Sequence, residues 1–163
     1  MDLLIIGAGG HGKVVAEVAT DCGYSRIDFL DDFSPEAVGK IGDLKDFLTD
    51  YKNAFVGIGD NRLRCEIIEK IEDAGYDVPV LIHPTAYVSR TAHIEKGTLV
   101  EPKAIVNSNT EIAFGCIISV GSIVDHNVVM GKCCHINSGA IVKAGAIVNA
   151  FTKLEAGDVK QGY

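Results

Sequence analysis

With 163 residues, a net charge of −7 and a sequence pI of about 5.1, the chain has room for one medium domain or two small ones and offers no basic run for nucleic acid. No apolar stretch is long enough for a membrane span and no signal segment precedes the first strand, so a cytoplasmic location is expected. Five cysteines, an odd number without a CxxC pair, fit reduced thiols there, with the vicinal Cys133-Cys134 pair the one to follow.

Leu3 to Ile6 is an apolar run that ends in Gly7-Ala8-Gly9-Gly10-His11-Gly12 and leads into a helical pattern through Val14, Val15, Val18 and Ala19. Strand, glycine turn and helix in that order bring backbone N–H groups and the positive end of a helix dipole up to a phosphate. A second strand, Ile27 to Leu30, ends in Asp31-Asp32, about where a dinucleotide fold carries its ribose-binding acid. Asp43 to Asp50 reads as a short helix and Ala54 to Ile58 as a third strand. A second glycine turn, Gly57 to Asn61, and a helix from Arg62 to Ala74 follow. Two glycine turns at strand C-termini define one crevice of an open parallel sheet. About 80 residues leave no room for a second mononucleotide half, so one nucleotide diphosphate with its sugar fits better than NAD. Val80 to Ile82 is expected as the last strand of this half, His83 as structural, and His83-Pro84 as the exit, giving domains 1–83 and 84–163.

From Val88 onward an aliphatic residue recurs every six positions: Val88, Ile94, Val100, Val106, Ile112, Ile118, Val124, Met130, Ile136, Val142, Val148 and Leu154. A helix repeats at 3.6 and a strand at 2, so a strict six means a short strand and a bend in each unit. Small residues such as Ala92, Thr98, Ala104, Cys116, Ser122, Cys134 and Ala140 hold most of the fourth positions after the aliphatics. The pattern predicts a parallel β-helix of triangular section, three hexapeptides to a coil and twelve units to four coils, with glycines (Gly97, Gly115, Gly121, Gly139, Gly145, Gly157) at corners.

Taken together, LLIIGAGGHGKVV, FLDD, VGIGDNRLR, IHPTAYVS, the hexapeptides and SIVDHN make the chain resemble the bacterial nucleotide-sugar N-acetyltransferases of the bacillosamine-pathway (PglD-like) type, grouped with the sialic-acid (NeuD-like) O-acetyltransferases. The resemblance covers nearly the whole length. It implies an N-terminal Rossmann-like α/β domain followed by a left-handed parallel β-helix. It also implies transfer of acetyl from acetyl-CoA to the amine of a UDP-4-amino-sugar, without a metal.

Carried over by motif, the catalytic base is His126, an imidazole outside the core and able to take a proton near neutrality. Bacillosamine-type relatives carry an acid directly after it, where this chain has Asn127; Asp125 precedes it, as in the sialic-acid type, and is the candidate partner of the ring. His135 matches a second histidine that hydrogen-bonds the acetyl carbonyl, and Ser119 stands where relatives carry Asn near the reacting amine. The same match puts Gly10, His11, Gly12 and Lys13 at the phosphates, Asp31, Asp32, Gly59, Asp60 and Asn61 around base and ribose, and pantetheine near His135, Gly139, Ala144 and Gly145. Relatives continue into a Gly-x-Pro-Ala segment, whereas Gln161-Gly162-Tyr163 closes this sequence, so the last coil is expected to be truncated or capped otherwise.

Two alternatives accompany this reading: acetylation of a hydroxyl on sialic acid or another sugar, and a non-catalytic nucleotide-sugar scaffold. A zinc site of the γ-carbonic anhydrase kind is disfavoured, because residues 18 apart stack and no two histidines are so spaced. His126 and His135, nine apart, lie half a coil from each other. If they share a reaction centre, it forms between subunits of a homotrimer.

Overall fold

The structure, a computed structural model, describes residues 1–163 and divides into two compact units, Met1–Pro79 and Val80–Tyr163. In the first, β1 (Asp2–Ile6) lies between β2 (Arg26–Leu30) and β3 (Asn53–Val56) in a parallel sheet of order β2-β1-β3. Leu3 to Ile6 are fully buried, as a central strand covered on both faces requires. Helix α1 (Gly10–Asp21) follows β1 and helix α2 (Asn61–Asp73) follows β3, each turning its apolar side inward through residues such as Val15, Val18, Ile68 and Ile71. The short helix expected at Asp43 to Asp50 is a 3-10 helix at Ile41–Phe47.

The second unit is a parallel β-solenoid of two-residue strands in three sheets. One face stacks Leu81–Ile82, Leu99–Val100, Ile117–Ile118, His135–Ile136 and Lys153–Leu154. A second stacks Tyr87–Val88, Ile105–Val106, Ile123–Val124, Ile141–Val142 and Val159–Lys160, and a third His93–Ile94, Glu111–Ile112, Val129–Met130 and Ile147–Val148. Every pairing joins residues one 18-residue coil apart, such as Ile118 with Ile136. The inward aliphatics from Val100 to Val148 are at most 2 % exposed, and Val88, Ile94 and Leu154 at the ends are partly buried against them.

One expectation is corrected here. The stretch Val80 to Ile82 does not end the first sheet; Leu81–Ile82 pairs with Leu99–Val100 in the solenoid, and the units divide after Pro79. Ile82 stands six residues before Val88, so it already obeys the repeat. His83 is a turn residue, its Nδ1 taking the Thr85 N–H at 3.0 Å.

All six corner glycines have positive φ. The same conformation recurs on the six-residue phase at Lys103, Asn109, Asn127, Cys133 and Phe151; of these, the two asparagines tolerate it best, while the solenoid imposes it on the others. None of the five cysteines is in a disulfide, and Cys116 and Cys134 stack in the core. No helix is long and apolar enough to cross a membrane.

Candidate functional site

At the C-terminal edge of the three-stranded sheet a crevice of about 350 Å³ opens between the two glycine turns, lined also by Asp31, Asp32, Phe33, Ile41, Ile58 and Leu63. The glycines here do two jobs. A Cβ on Gly12 would fall on the Gly7 carbonyl oxygen, and one on Gly57 would lie 2.6 Å from the Gly12 Cα, so α1 packs backbone to backbone on the strand ends. A Cβ on Gly9, Gly10 or Gly59 would meet nothing within 4 Å, and these positions keep the crevice floor open.

The two helices present different charge to this space. Helix α1 starts after Gly9 without any side-chain cap, so its first N–H groups and the positive end of its dipole face the crevice. Helix α2 is capped by Asp60, whose carboxylate accepts from Arg62 N at 3.0 Å and Leu63 N at 2.8 Å. An anion is therefore drawn to Gly10 to Gly12 and repelled by the cap at Asp60. His11 lies half-buried on the crevice wall, and Lys13 forms an exposed pair with Glu36 at 3.2 Å.

Asp31 joins the first turn to the loop after β2. Its Oδ2 accepts Ala8 N at 2.8 Å and its Oδ1 accepts Phe33 N and Ser34 N, each at 2.9 Å. These donors, Ala8 first, hold the carboxyl below the usual carboxylate range. Asp32 Oδ1 accepts Ile41 N at 3.1 Å. Asn61 Oδ1 accepts from Arg64 at 2.7 Å, and the same guanidinium donates to the Ile58 and Gly59 carbonyls at 3.2 and 3.0 Å. Arg64 is 1 % exposed and clamps the second turn. Sequence reading missed it, although it falls on the buried phase of α2 with Ile68 and Ile71.

In the solenoid, Asp125, His126 and Asn127 form the turn that follows Val124, with Asn127 at φ +56°. Gly145, one coil on, donates its N–H to the His126 carbonyl at 3.0 Å and fixes the backbone beneath the ring. Asp125 Oδ1 accepts His126 N at 2.7 Å and Asn107 Nδ2 at 3.0 Å. The backbone N–H of His126, then the Asn107 amide and the charge of His126 keep this carboxyl low. Its hydrogen bonds thus go to backbone and amide. The group beside the imidazole is the Asn127 amide, 3.1 Å from Nδ1 and 3.3 Å from the Tyr163 hydroxyl.

His135 sits on the first face with its Nε2 3.1 Å from Ser119 Oγ, one coil earlier. The structure brings His135 and Ser119 together, and it puts His126 at the turn leaving the second face. Gly139 opens to free space; Gly145 lies against the Tyr163 ring, and the Ala144 carbonyl accepts Tyr163 N at 3.3 Å. No three His, Cys, Asp or Glu side chains cluster as a metal site would need.

Residues 2–71 match the family model described as the PglD N-terminal domain. A UDP-N-acetylbacillosamine N-acetyltransferase of Bacillus subtilis is 31% identical over 109 residues, 60% of this chain and 50% of that protein; the chain thus spans about half the length of this curated relative. The acetyltransferase domain of PglB from Neisseria gonorrhoeae, solved with acetyl coenzyme A, is 32% identical with a TM-score of 0.80, covering 99% of this chain and 93% of that one. PerB from Caulobacter crescentus, solved with CoA and GDP-perosamine, is 30% identical with a TM-score of 0.85, covering 99% and 89%.

Proposed function

Because the chain belongs to the family of PglD-like sugar N-acetyltransferases, we propose that it transfers acetyl from acetyl-CoA to the amine of a nucleotide-linked sugar, with a UDP-4-amino-sugar as the substrate and His126 as the base. The observation that carries this is the match over 99% of the chain to sugar N-acetyltransferases solved with CoA or acetyl coenzyme A. In this reading the first unit is Rossmann-like, the coils wind left-handed, and the protein works in the cytoplasm.

The nucleotide diphosphate lies at the uncapped start of α1, held by Gly10, His11 and Gly12 with Lys13 nearby. Asp31, Asp32 and the turn from Gly59 through Asp60 to Asn61 surround ribose and base. In the solenoid, the sugar amine attacks the thioester carbonyl and forms the new N–C bond. His126 takes the proton shed by the nitrogen, the C–S bond breaks, and CoA leaves as thiolate, to be protonated. His135, positioned by Ser119, donates to the carbonyl oxygen as it gains charge. For Nε2 of His126 to accept a proton, Nδ1 must carry one, which requires the carbonyl end of the Asn127 amide to face the ring. The Tyr163 hydroxyl can donate to that oxygen. Pantetheine runs past the open Gly139 and near Ala144 and Gly145, over the Tyr163 ring that covers Gly145.

A homotrimer completes each centre, with His126 of one copy meeting His135 and Ser119 of the next. An outward apolar ladder on the second face, Tyr87, Ile105, Ile123, Ile141 and Val159, supports such an assembly, since Tyr87 and Val159 are 58 % and 46 % exposed. O-acetylation is the second reading, favoured by Asp125 ahead of His126 and an amide after it. Thiol release from acetyl-CoA against nucleotide-linked amino- and hydroxy-sugars, with products weighed and treated with hydroxylamine, separates them: an amide survives and an ester is cleaved. Absence of turnover with every acceptor, with nucleotide-sugar binding intact, would support the scaffold instead.

A further inference from the structure

Phe33 is 95 % exposed, more than any other large apolar side chain in the protein, yet it is not on a loose loop. Its N–H is fixed to Asp31 Oδ1 at 2.9 Å, the next residue's N–H to the same oxygen, and the other oxygen of that carboxylate to Ala8 in the glycine turn. Asp32, on its other side, is tied to Ile41. The backbone that carries the phenyl ring is therefore held in register with the start of α1, and Phe33 lines the same crevice as Gly9, Gly10 and His11. An aromatic on a fixed backbone, left in water at a crevice mouth close to an uncapped helix start, has the form of a stacking platform.

Building on the nucleotide reading of this crevice, we propose that Phe33 is the surface on which the nucleobase stacks. The diphosphate is held by α1 and the heteroaromatic ring by Phe33. Because every base has a π-face, the platform supplies affinity for nucleotides over sugar phosphates, and discrimination among bases rests with other groups.

The chain has no tryptophan, so Phe33→Trp installs a single indole at the platform. We expect UDP and GDP to quench its emission and inorganic pyrophosphate not to. By calorimetry at low salt, Phe33→Ala should weaken UDP by roughly ten- to a hundredfold, leave pyrophosphate unchanged, and be rescued by Phe33→Tyr. Unchanged UDP affinity in Phe33→Ala would overturn the platform while leaving the nucleotide site standing. Equal loss of pyrophosphate would overturn it too, by showing that Phe33 only shapes the loop. If the parental chain binds neither UDP, GDP nor pyrophosphate, the nucleotide reading fails and the platform with it.

Discussion

Gly10 and Gly12 sit two residues apart at the start of α1, yet the structure separates their roles completely. A methyl group on Gly12 would land on the Gly7 carbonyl oxygen and 3.6 Å from the Gly57 oxygen, both of them backbone atoms held by the sheet. Such overpacking costs about 1–3 kcal/mol. For a unit the size of Met1–Pro79, we expect Gly12→Ala to lower its melting temperature by roughly 5–25 °C. A Cβ on Gly10 meets nothing within 4 Å and points into open space, so Gly10→Val should melt within about 2 °C of the parent. It would stand over the uncapped N–H groups, however, and block a phosphate. Differential scanning calorimetry reads the first effect and titration calorimetry with UDP the second. A parental melting temperature for Gly12→Ala, or parental UDP affinity for Gly10→Val, would refute this division.

Asp31 has a depressed carboxyl in the folded state, so its contribution to stability is complete above the ordinary carboxylate range and is lost as pH falls through the folded value. We expect Asp31→Asn to melt lower than the parent at neutral pH, with the gap closing in acid, and to bind UDP more weakly; melting curves at stepped pH check both. An added charge beside the imidazole stabilises imidazolium, so Asn127→Asp should move the acid limb of the kcat/KM profile to higher pH, measured by thiol release. Reassembling His126→Ala with His135→Ala chains should restore about a quarter of the sites, since each draws one residue from each of two randomly chosen subunits. A dead mixture of proven hetero-trimers would refute shared sites.

The solenoid was legible because its information is local: one aliphatic, one small residue and one corner per six residues are written along the chain. Even there, reading corners as glycines alone passed over Asn127 and four other residues in the same conformation, though the phase marks them. Starting the repeat at Val88 left the strand at Val80 to Ile82 with the first sheet, whereas Leu81–Ile82 pairs within the solenoid. In the first unit the strand, glycine turn and helix order was plain, but the use of each acid was not. Asp31 reaches back to Ala8 because β2 lies beside β1, an adjacency set by tertiary packing. Asp60 reads as a ribose ligand by motif and as a helix cap by geometry. Phe33 gave no signal, since only a fixed loop distinguishes it from any exposed aromatic.

The proposal that His126 is the base is tested most directly by the turnover of His126→Ala with acetyl-CoA and the acceptor that the parent prefers. Its half-buried ring lies outside the solenoid core, so we expect parental melting and parental CoA binding with kcat lower by about 10²-fold or more. Near-parental kcat in a folded, CoA-binding His126→Ala protein would contradict the assignment.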